Sequence, residues 1–400
     1  MPNDHFSNGK KIAFTVVMFL YINLALTIFW ILKPLKKTLF IGLYDGDQTF
    51  KLGSMEMLGS SAELLAKGMN LLIAFMLVVF LTLVTRLAKR QRLTYCCMGL
   101  IIAMTFYFSL HLINEPSEST VWLFYWFGDL YISLMLAAFF SFLHDTVDLR
   151  NAKRLYGFIV LGAVSGGAVG STYFRGWIEE MNNQQWLHTI IGIGVVICLL
   201  AFAAGWMAKS IPHHEPKPSP NDVPKKKFNA AIEGASLVFK SRYLIAIAGI
   251  VGFYEITSEV LDYQFTAMTE RFVPKEDIGS RFGTVYAIGN IAALVVQLCF
   301  SIFAASFPKY RIHWILLALP LAVALSSLFF IIAPILLAAS LLKISDSTFA
   351  YSVNQTGRET LYNPLSRQEK YVARAFVEVF IQRTGKVAAL LIAFLVPMFL

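Results

Sequence analysis

Charge is what this sequence most lacks. Only 15% of its 400 residues are Asp, Glu, Lys or Arg, whereas a soluble domain carries roughly a quarter. With 57% hydrophobic residues and a mean hydropathy of +0.61, too little polar surface is left to cover a water-soluble globule. Cysteine is scarce as well. Cys96, Cys97, Cys198 and Cys299 all lie in apolar segments, which gives neither a disulfide framework nor metal-ligand spacing. There is no HExxH, no GxSxG and no G-x-x-x-x-G-K-[ST], so nothing points to a zinc hydrolase, a serine hydrolase or a phosphate-loop NTPase. An intramembrane enzyme acting on lipid has no motif in its favour either. No enzyme activity, cofactor or metal is therefore expected. Strict polar–apolar alternation is also missing, which excludes a lipid-facing β-barrel.

What the chain does have is long apolar blocks. A bilayer-crossing helix needs about 20 mostly apolar residues, and only helices or closed barrels satisfy the backbone in lipid. Spans are predicted at about residues 12–32, 62–84, 93–113, 120–143, 155–174 and 186–207, then at 243–268, 281–307, 313–332, 334–353 and 375–400. The apolar run after Lys10 and Lys11 is too long for a signal-peptide core, so it is read as the first span. The formal charge of +9 does not indicate nucleic acid, because the basic residues gather in alternate loops. Arg86, Lys89, Arg90 and Arg92 follow span 2, Arg150, Lys153 and Arg154 follow span 4, and Lys217, Lys225, Lys226 and Lys227 follow span 6. The intervening loops hold Asp45, Asp47, Glu56, Glu115, Glu118, Glu179 and Glu180. The positive-inside rule then places the N-terminus in the cytoplasm.

The segment HHEPKPSPNDVPKKK, rich in proline and lysine, cannot pack and reads as a flexible cytoplasmic linker. Three parts follow: a six-helix bundle over 1–207, the linker 208–242 and a five-helix bundle over 243–400. Two helical halves joined by a cytoplasmic linker are the layout of the major facilitator fold. The predicted class is all-α and polytopic, with about 11 transmembrane helices in a 6 + 5 arrangement and a twelfth expected but missing. Gly162, Gly166 and Gly170 recur every four residues in span 5, which reads as close helix packing.

The few charges inside the spans matter most, because a charge at the bilayer centre costs about 2.5–3.5 kcal/mol on insertion scales. Lys33, Lys36 and Lys37 follow the first apolar run and share a helical face. They are either snorkelling at a helix end or a cationic patch for an anionic substrate. The apolar TLFIGLY that follows favours a continuing helix with the lysines submerged. Asp129 lies within WLFYWFGDLYISLML of span 4, as a structural partner for a lysine, a transport residue, or both. Glu255, Glu259 and Asp262 recur at i, i+4 and i+7 in span 7, on one face, which lines a cavity or approaches the outer surface. Arg358, Glu359, Lys370, Arg374, Arg383 and Lys386 crowd the region between spans 10 and 11. Lys370 and Arg374 read as solvated, while Lys386, between Gly385 and an apolar run, reads as pointing inward.

At these residues the chain resembles the nucleotide transporter family, the ATP/ADP translocases of plastids and obligate intracellular bacteria. LKPLKKTLF resembles the family's lysine-containing stretch, with Lys36 at its lysine. FGDLYISLMLAAFFSFLHDTVDLRNAKRLYGFIVLGAVSGG resembles its helix-4 acid and following loop, with Asp129 at a glutamate and Ala152, Lys153, Arg154 and Tyr156 matching the loop. YSVNQTGRETLYNPLSRQEKYVARAFVEVFIQRTGK resembles its Lys-Glu-Met-Ala-Tyr-x-Pro-Leu motif and later Gly-Lys, through Arg358, Glu359, Tyr362, Pro364, Leu365, Gly385 and Lys386. Glu259 aligns with its helix-7 glutamate. Three departures stand out. Lys37 replaces an acid, Asp262 lies where the family has lysines, and the twelfth helix is absent.

The resemblance implies an alternating-access carrier for an anionic solute, with a nucleotide as a candidate, in a bacterial inner membrane. Lys33, Lys36, Lys37, Asp129, Glu259, Arg358 and Lys386 are its candidate substrate contacts. Asp129, Glu255, Glu259, Asp262, Lys153 and Arg154 are candidates for gating or ion pairs. Asp129 and Glu259 are expected to pair with lysines when the site is empty. Counter-exchange needs no further charge, whereas proton symport would use an acid such as Asp129. The alternative is a transporter-derived membrane module that no longer transports and serves as anchor, sensor or partner-binding component.

Overall fold

A computed structural model describes residues 8–44, 49–52, 55–70, 72–73, 91–113, 116–146, 149–208, 235–306, 312–354, 357–358, 361–362 and 376–399. The first six helices are α1 (Asn8–Leu43), α2 (residues 59–70), α3 (Gln91–His111), α4 (Glu118–Thr146), α5 (Leu149–Trp177) and α6 (Asn183–Ala208). They are followed by α7 (Arg242–Phe272), α8 (Ile278–Ser306), α9 (Ile312–Ile332), α10 (Leu336–Phe349) and α11 (Gln382–Phe399). The protein is an all-α polytopic membrane protein. Seven described helical stretches are long and apolar enough to cross a bilayer, among them Ile12–Leu43, Glu118–Phe140 and Arg242–Phe272. Large apolar side chains such as Phe253, Leu325, Ile331 and Ile332 lie exposed along these helices, as lipid-facing surfaces require. Residues 209–234 of the proposed linker 208–242 lie outside the described residues, and 235–240 are helical.

Two features depart from simple spans. A small antiparallel hairpin, β1 (Phe50–Leu52) and β2 (Met55–Met57), sits between α1 and α2. Its Lys51–Glu56 pair faces water, 3.1 Å apart. α10 is only 14 residues long and passes into a π-helical turn at Ala350–Asn354, and a second such turn, Val377–Ile381, leads into α11. Wider turns of this kind often accompany functional sites.

The chain packs as two units. Unit 1 comprises Met1–Pro212 with Thr269–Gln297, and unit 2 comprises His213–Met268 with Leu298–Leu400. In unit 1, α1 runs through the core against α4, α5 and α6. The glycines of α5 make this possible. A Cβ on Gly166 or Gly170 would run into the backbone of Asn23 or Thr27 in α1. At that approach Asn23 donates to the Gly162 carbonyl (3.3 Å) and Thr27 to that of Gly166 (3.2 Å). Tyr131 of α4 donates to the Ala25 carbonyl at 2.9 Å, and Tyr21 donates to Thr94 of α3 at 3.2 Å. These bonds satisfy polar groups in a core that would otherwise leave them stranded. In unit 2 a smaller cluster includes Leu244, Ile247, Val251, Tyr362 and Val377.

Candidate functional site

The lysines of α1 are submerged because the helix does not stop at the end of its first apolar run. It continues through Pro34 to Leu43. Proline is tolerated in a transmembrane helix, and past it the Thr38 hydroxyl donates back to the Pro34 carbonyl at 2.8 Å. Lys36 then points at α4. Its ammonium is 2.6 Å from Oδ1 of Asp129 and 4.2 Å from the centre of the Tyr125 ring. It reaches there over Gly128, where a Cβ would lie 2.6 Å from the lysine's Cδ. Only a residue without a side chain leaves that path open. Asn70 of α2 donates to the other Asp129 oxygen at 2.6 Å. The pair is asymmetric: the Lys36 side chain is 6% exposed and that of Asp129 is 33%.

Lys37 turns to a second acid. Glu63 of α2, whose side chain is 2% exposed, lies 3.5 Å from Lys37 and 3.4 Å from Lys67. It also accepts from the Tyr125 hydroxyl at 2.7 Å. Tyr125 thus ties the two ion pairs together, with its ring under Lys36 and its hydroxyl on Glu63. Lys33 sits among aromatic rings, 4.5 Å from that of Trp30, 5.0 Å from that of Tyr286 and 5.9 Å from that of Phe29. A cation over such faces is held electrostatically. Lys36 and Lys37 thus face different acids, Lys33 faces aromatic rings, and Tyr125 joins the first two within unit 1.

Unit 2 holds the other charges. Glu259 of α7 pairs with Lys386 of α11 at 2.9 Å, with the lysine 41% and the acid 12% exposed. Asp262 pairs with Lys343 of α10 at 3.0 Å, and Lys343 is also 3.2 Å from Asp346. Ser258 donates to the same Asp346 oxygen at 2.9 Å. Glu255 lies against Gly385 of α11, its Cβ 3.0 Å from where a Cβ on that glycine would sit. Arg358 is 5.9 Å from the ring of Tyr254. Thus Lys36 meets Asp129 in unit 1, and Glu259 meets Lys386 in unit 2. The side chains of Lys153 and Arg154, together with all of Glu359, Lys370 and Arg374, lie outside the described residues.

Sequence reasoning overlooked Glu63, Lys67 and Asn70 in α2 and Lys343 and Asp346 in α10. The signal was present. Lys343 and Asp346 are two charges three residues apart in the apolar run LLAASLLKISDSTF, and Glu63 and Lys67 are a pair at i, i+4 spacing.

No family model matches the sequence, and neither does any curated protein. Solved structures do match its fold. A bacterial homologue of the human lysosomal transporter Spinster, captured inward-facing and unoccupied, superposes with a TM-score of 0.59 at 12% identity. The match covers 96% of this chain and 82% of that one. The nucleoside transporter NupG superposes with a TM-score of 0.57 at 12% identity, covering 98% of this chain and 92% of that one. The chain therefore shares the fold of these solved structures. At this identity the likeness is one of architecture, and function has to be argued from the site.

Proposed function

We propose that this protein is a membrane transporter moving an anionic solute by alternating access, with a nucleotide or another phosphorylated metabolite as the candidate. The observation that carries this is the charge of the unit 1 cluster. Among the described residues, Lys33, Lys36, Lys37 and Lys67 stand with Asp129 and Glu63 inside a helical bundle. Lysine ammonium groups are point charges suited to phosphate or carboxylate. The Lys36–Asp129 pair, open on its acid side, is a lock that a competing anion can undo. An incoming phosphate takes over Lys36, and Asp129 keeps its bond to Asn70.

The fold likeness to a nucleoside transporter and the resemblance of three segments to ATP/ADP translocases support a nucleotide in particular. A nucleoside is uncharged, so a carrier for it has no need of this many buried lysines. The phosphorylated form does. Counter-exchange suits such a substrate, and the charged loops support a cytoplasmic N-terminus; a bacterial inner membrane is part of the same proposal.

The test is uptake into liposomes by the purified chain, screened across nucleotides and other phosphorylated anions. Lys36→Ala is expected to lower uptake of the transported anion at least tenfold while the protein stays folded. Unchanged uptake would remove Lys36 from the site. Neither uptake nor thermal stabilisation by any anion would favour the non-transporting membrane module.

A further inference from the structure

Where α5 turns into α6, unit 1 has a surface groove of about 360 Å³, lined by Tyr173, Trp177, Met181, Gln185, His188 and Thr189. It shares no residue with the lysine cluster. α5 supplies Tyr173 and Trp177 one turn apart, 36% and 46% exposed, with ring centres 6.3 Å apart. The buried Trp186 packs edge-on behind Tyr173 at 5.7 Å, and the Tyr173 hydroxyl donates to the Met181 sulfur at 4.0 Å. The Trp177 carbonyl accepts from the backbone N–H groups of Glu180 and Met181, at 3.1 and 2.9 Å, which closes the turn. α6 supplies the polar wall. The side-chain oxygens of Asn182 and Gln185 each accept from the other's backbone N–H at 2.9 Å, the reciprocal box that starts a helix. That engages the Gln185 carbonyl oxygen and leaves its NH₂ to donate.

The position of the groove and the charge around it select its occupant. α6 is apolar enough to cross a bilayer from Asn183 to Met207, so the groove sits at the end of a span, at the level of lipid headgroups. Tyr and Trp favour that level. No lysine or arginine lines the groove. Arg175, the nearest of either along the chain, donates to Thr284 of α8 at 3.0 Å. The turn itself carries Glu179 and Glu180, both exposed. An ammonium therefore suits this place and a bare anion does not, since the acids attract it and indole and phenol rings hold a cation over their faces. A bare acyl chain has no use for Gln185 and His188, whereas phosphate and ester oxygens accept from both. Beyond His188 the same face of α6 continues through Gly192, where an added Cβ would meet nothing. It runs on to Val195, Leu199 and Phe202, all exposed, at the three- and four-residue steps of one helical face.

We propose that the α5–α6 groove binds a zwitterionic phospholipid with an amine headgroup, of the phosphatidylethanolamine class. The ammonium sits over Tyr173 and Trp177 beside the acids of the turn, the phosphate faces Gln185 and His188, and an acyl chain follows the stripe from Gly192 to Phe202. The lipid rests on α5, whose glycines admit α1, so its binding steadies the unit that carries the lysines. The site depends on neither the substrate nor transport.

The test is native mass spectrometry of the purified full-length chain, with added phosphatidylethanolamine or phosphatidylglycerol of the same acyl chains, paired with thermal unfolding. The wild type is expected to hold the ethanolamine lipid about threefold or more tightly than the glycerol lipid, and to unfold at a higher temperature with it. Trp177→Leu should lower that preference, and so should Glu179→Gln combined with Glu180→Gln. The glutamine pair is fully on the surface and keeps the test decisive if the Trp177 variant folds badly. His188→Ala should weaken both lipids alike, because both carry the phosphate. Equal binding of the two lipids by the wild type, or a preference that survives both sets of changes, overturns the site and leaves ordinary lipid contact. Soluble phosphoethanolamine at the same concentration should not raise the unfolding temperature. An equal rise with it would make the ligand a solute and overturn the lipid.

Discussion

Each unit joins two of its helices by an ion pair, but with opposite sense. In unit 1 the lysine is on the earlier helix, α1, and the acid on α4, as Lys36 and Asp129. In unit 2 the acid is on the earlier helix, α7, and the lysine on α10, as Asp262 and Lys343. The company each pair keeps follows the same division. Unit 1 gathers further lysines around its pair, while unit 2 gathers further carboxylates. A buried pair by itself adds little stability, because desolvation offsets most of the attraction. Under the proposed function, the lysine-rich site of unit 1 gives up an ammonium to a competing anion. The pair of unit 2, with the opposite sense and a second acid on the same ammonium, is not suited to that exchange.

The comparison treats Glu63 as the acid that keeps the lysine-rich side from repelling itself, so its removal should have the largest effect. Glu63→Leu leaves Lys37, Lys67 and the Tyr125 hydroxyl without their shared acceptor in a site 2% exposed. Stranding a buried charge costs about 3–5 kcal/mol, so thermal unfolding in detergent should drop sharply. Adding Lys37→Met should recover much of the loss. If Glu63→Leu alone unfolds like wild type, the charge balance of unit 1 does not matter to its packing.

A smaller effect tests the inversion itself. Lys36→Asp puts two acids together and Asp129→Lys two lysines. With Asp129 a third exposed, solvent screens part of the penalty, and each single change should cost about 2 kcal/mol. The double variant restores a pair in the sense that unit 2 uses, and should return to within about 1 kcal/mol of wild type. Costs that simply add would show that the sense is fixed by surroundings, namely the Tyr125 ring that receives a cation and the Asn70 amide that receives an acid.

How much of this was legible follows from where each charge sits. Lys36, Asp129, Glu259 and Lys386 stand out in the sequence because each interrupts a run of apolar residues, and an interruption in lipid needs a reason. The fold class was legible for the complementary reason, since apolar blocks of bilayer length admit few structures. Lys343 and Asp346 were equally visible but sit in a short helix of 14 residues, where a charge a turn or two from the end reads as ordinary. The i, i+3 and i+4 spacing of the α1 lysines suggests one patch, but it does not say which acid of α2 or α4 each lysine meets. Glu63 fell at the predicted edge of span 2, and nothing in the sequence says that α4 would send Tyr125 to meet it. The hairpin at 50–57 left no apolar signature at all, because it is short and its charged pair faces water.

Glu270 sharpens the comparison through the smallest expected effect. It is an acid of unit 1 whose carboxylate is held by backbone and not by lysine. Its two oxygens accept from the N–H groups of Gly59 at 2.6 Å and Ser60 at 2.9 Å. Those are the first residues of α2, where helical N–H groups have no partner within the helix and the dipole favours negative charge. Glu270 therefore caps the helix that carries Glu63, Lys67 and Asn70 into the lysine cluster. Glu270→Ala should cost about 1–2 kcal/mol, as the loss of a cap does. Glu270→Gln keeps one acceptor and should cost less. Hydrogen exchange should quicken at the start of α2 in both variants and stay unchanged in α10. If α10 loosens equally, the effect is general destabilisation, and α2 is not the element that Glu270 holds in place.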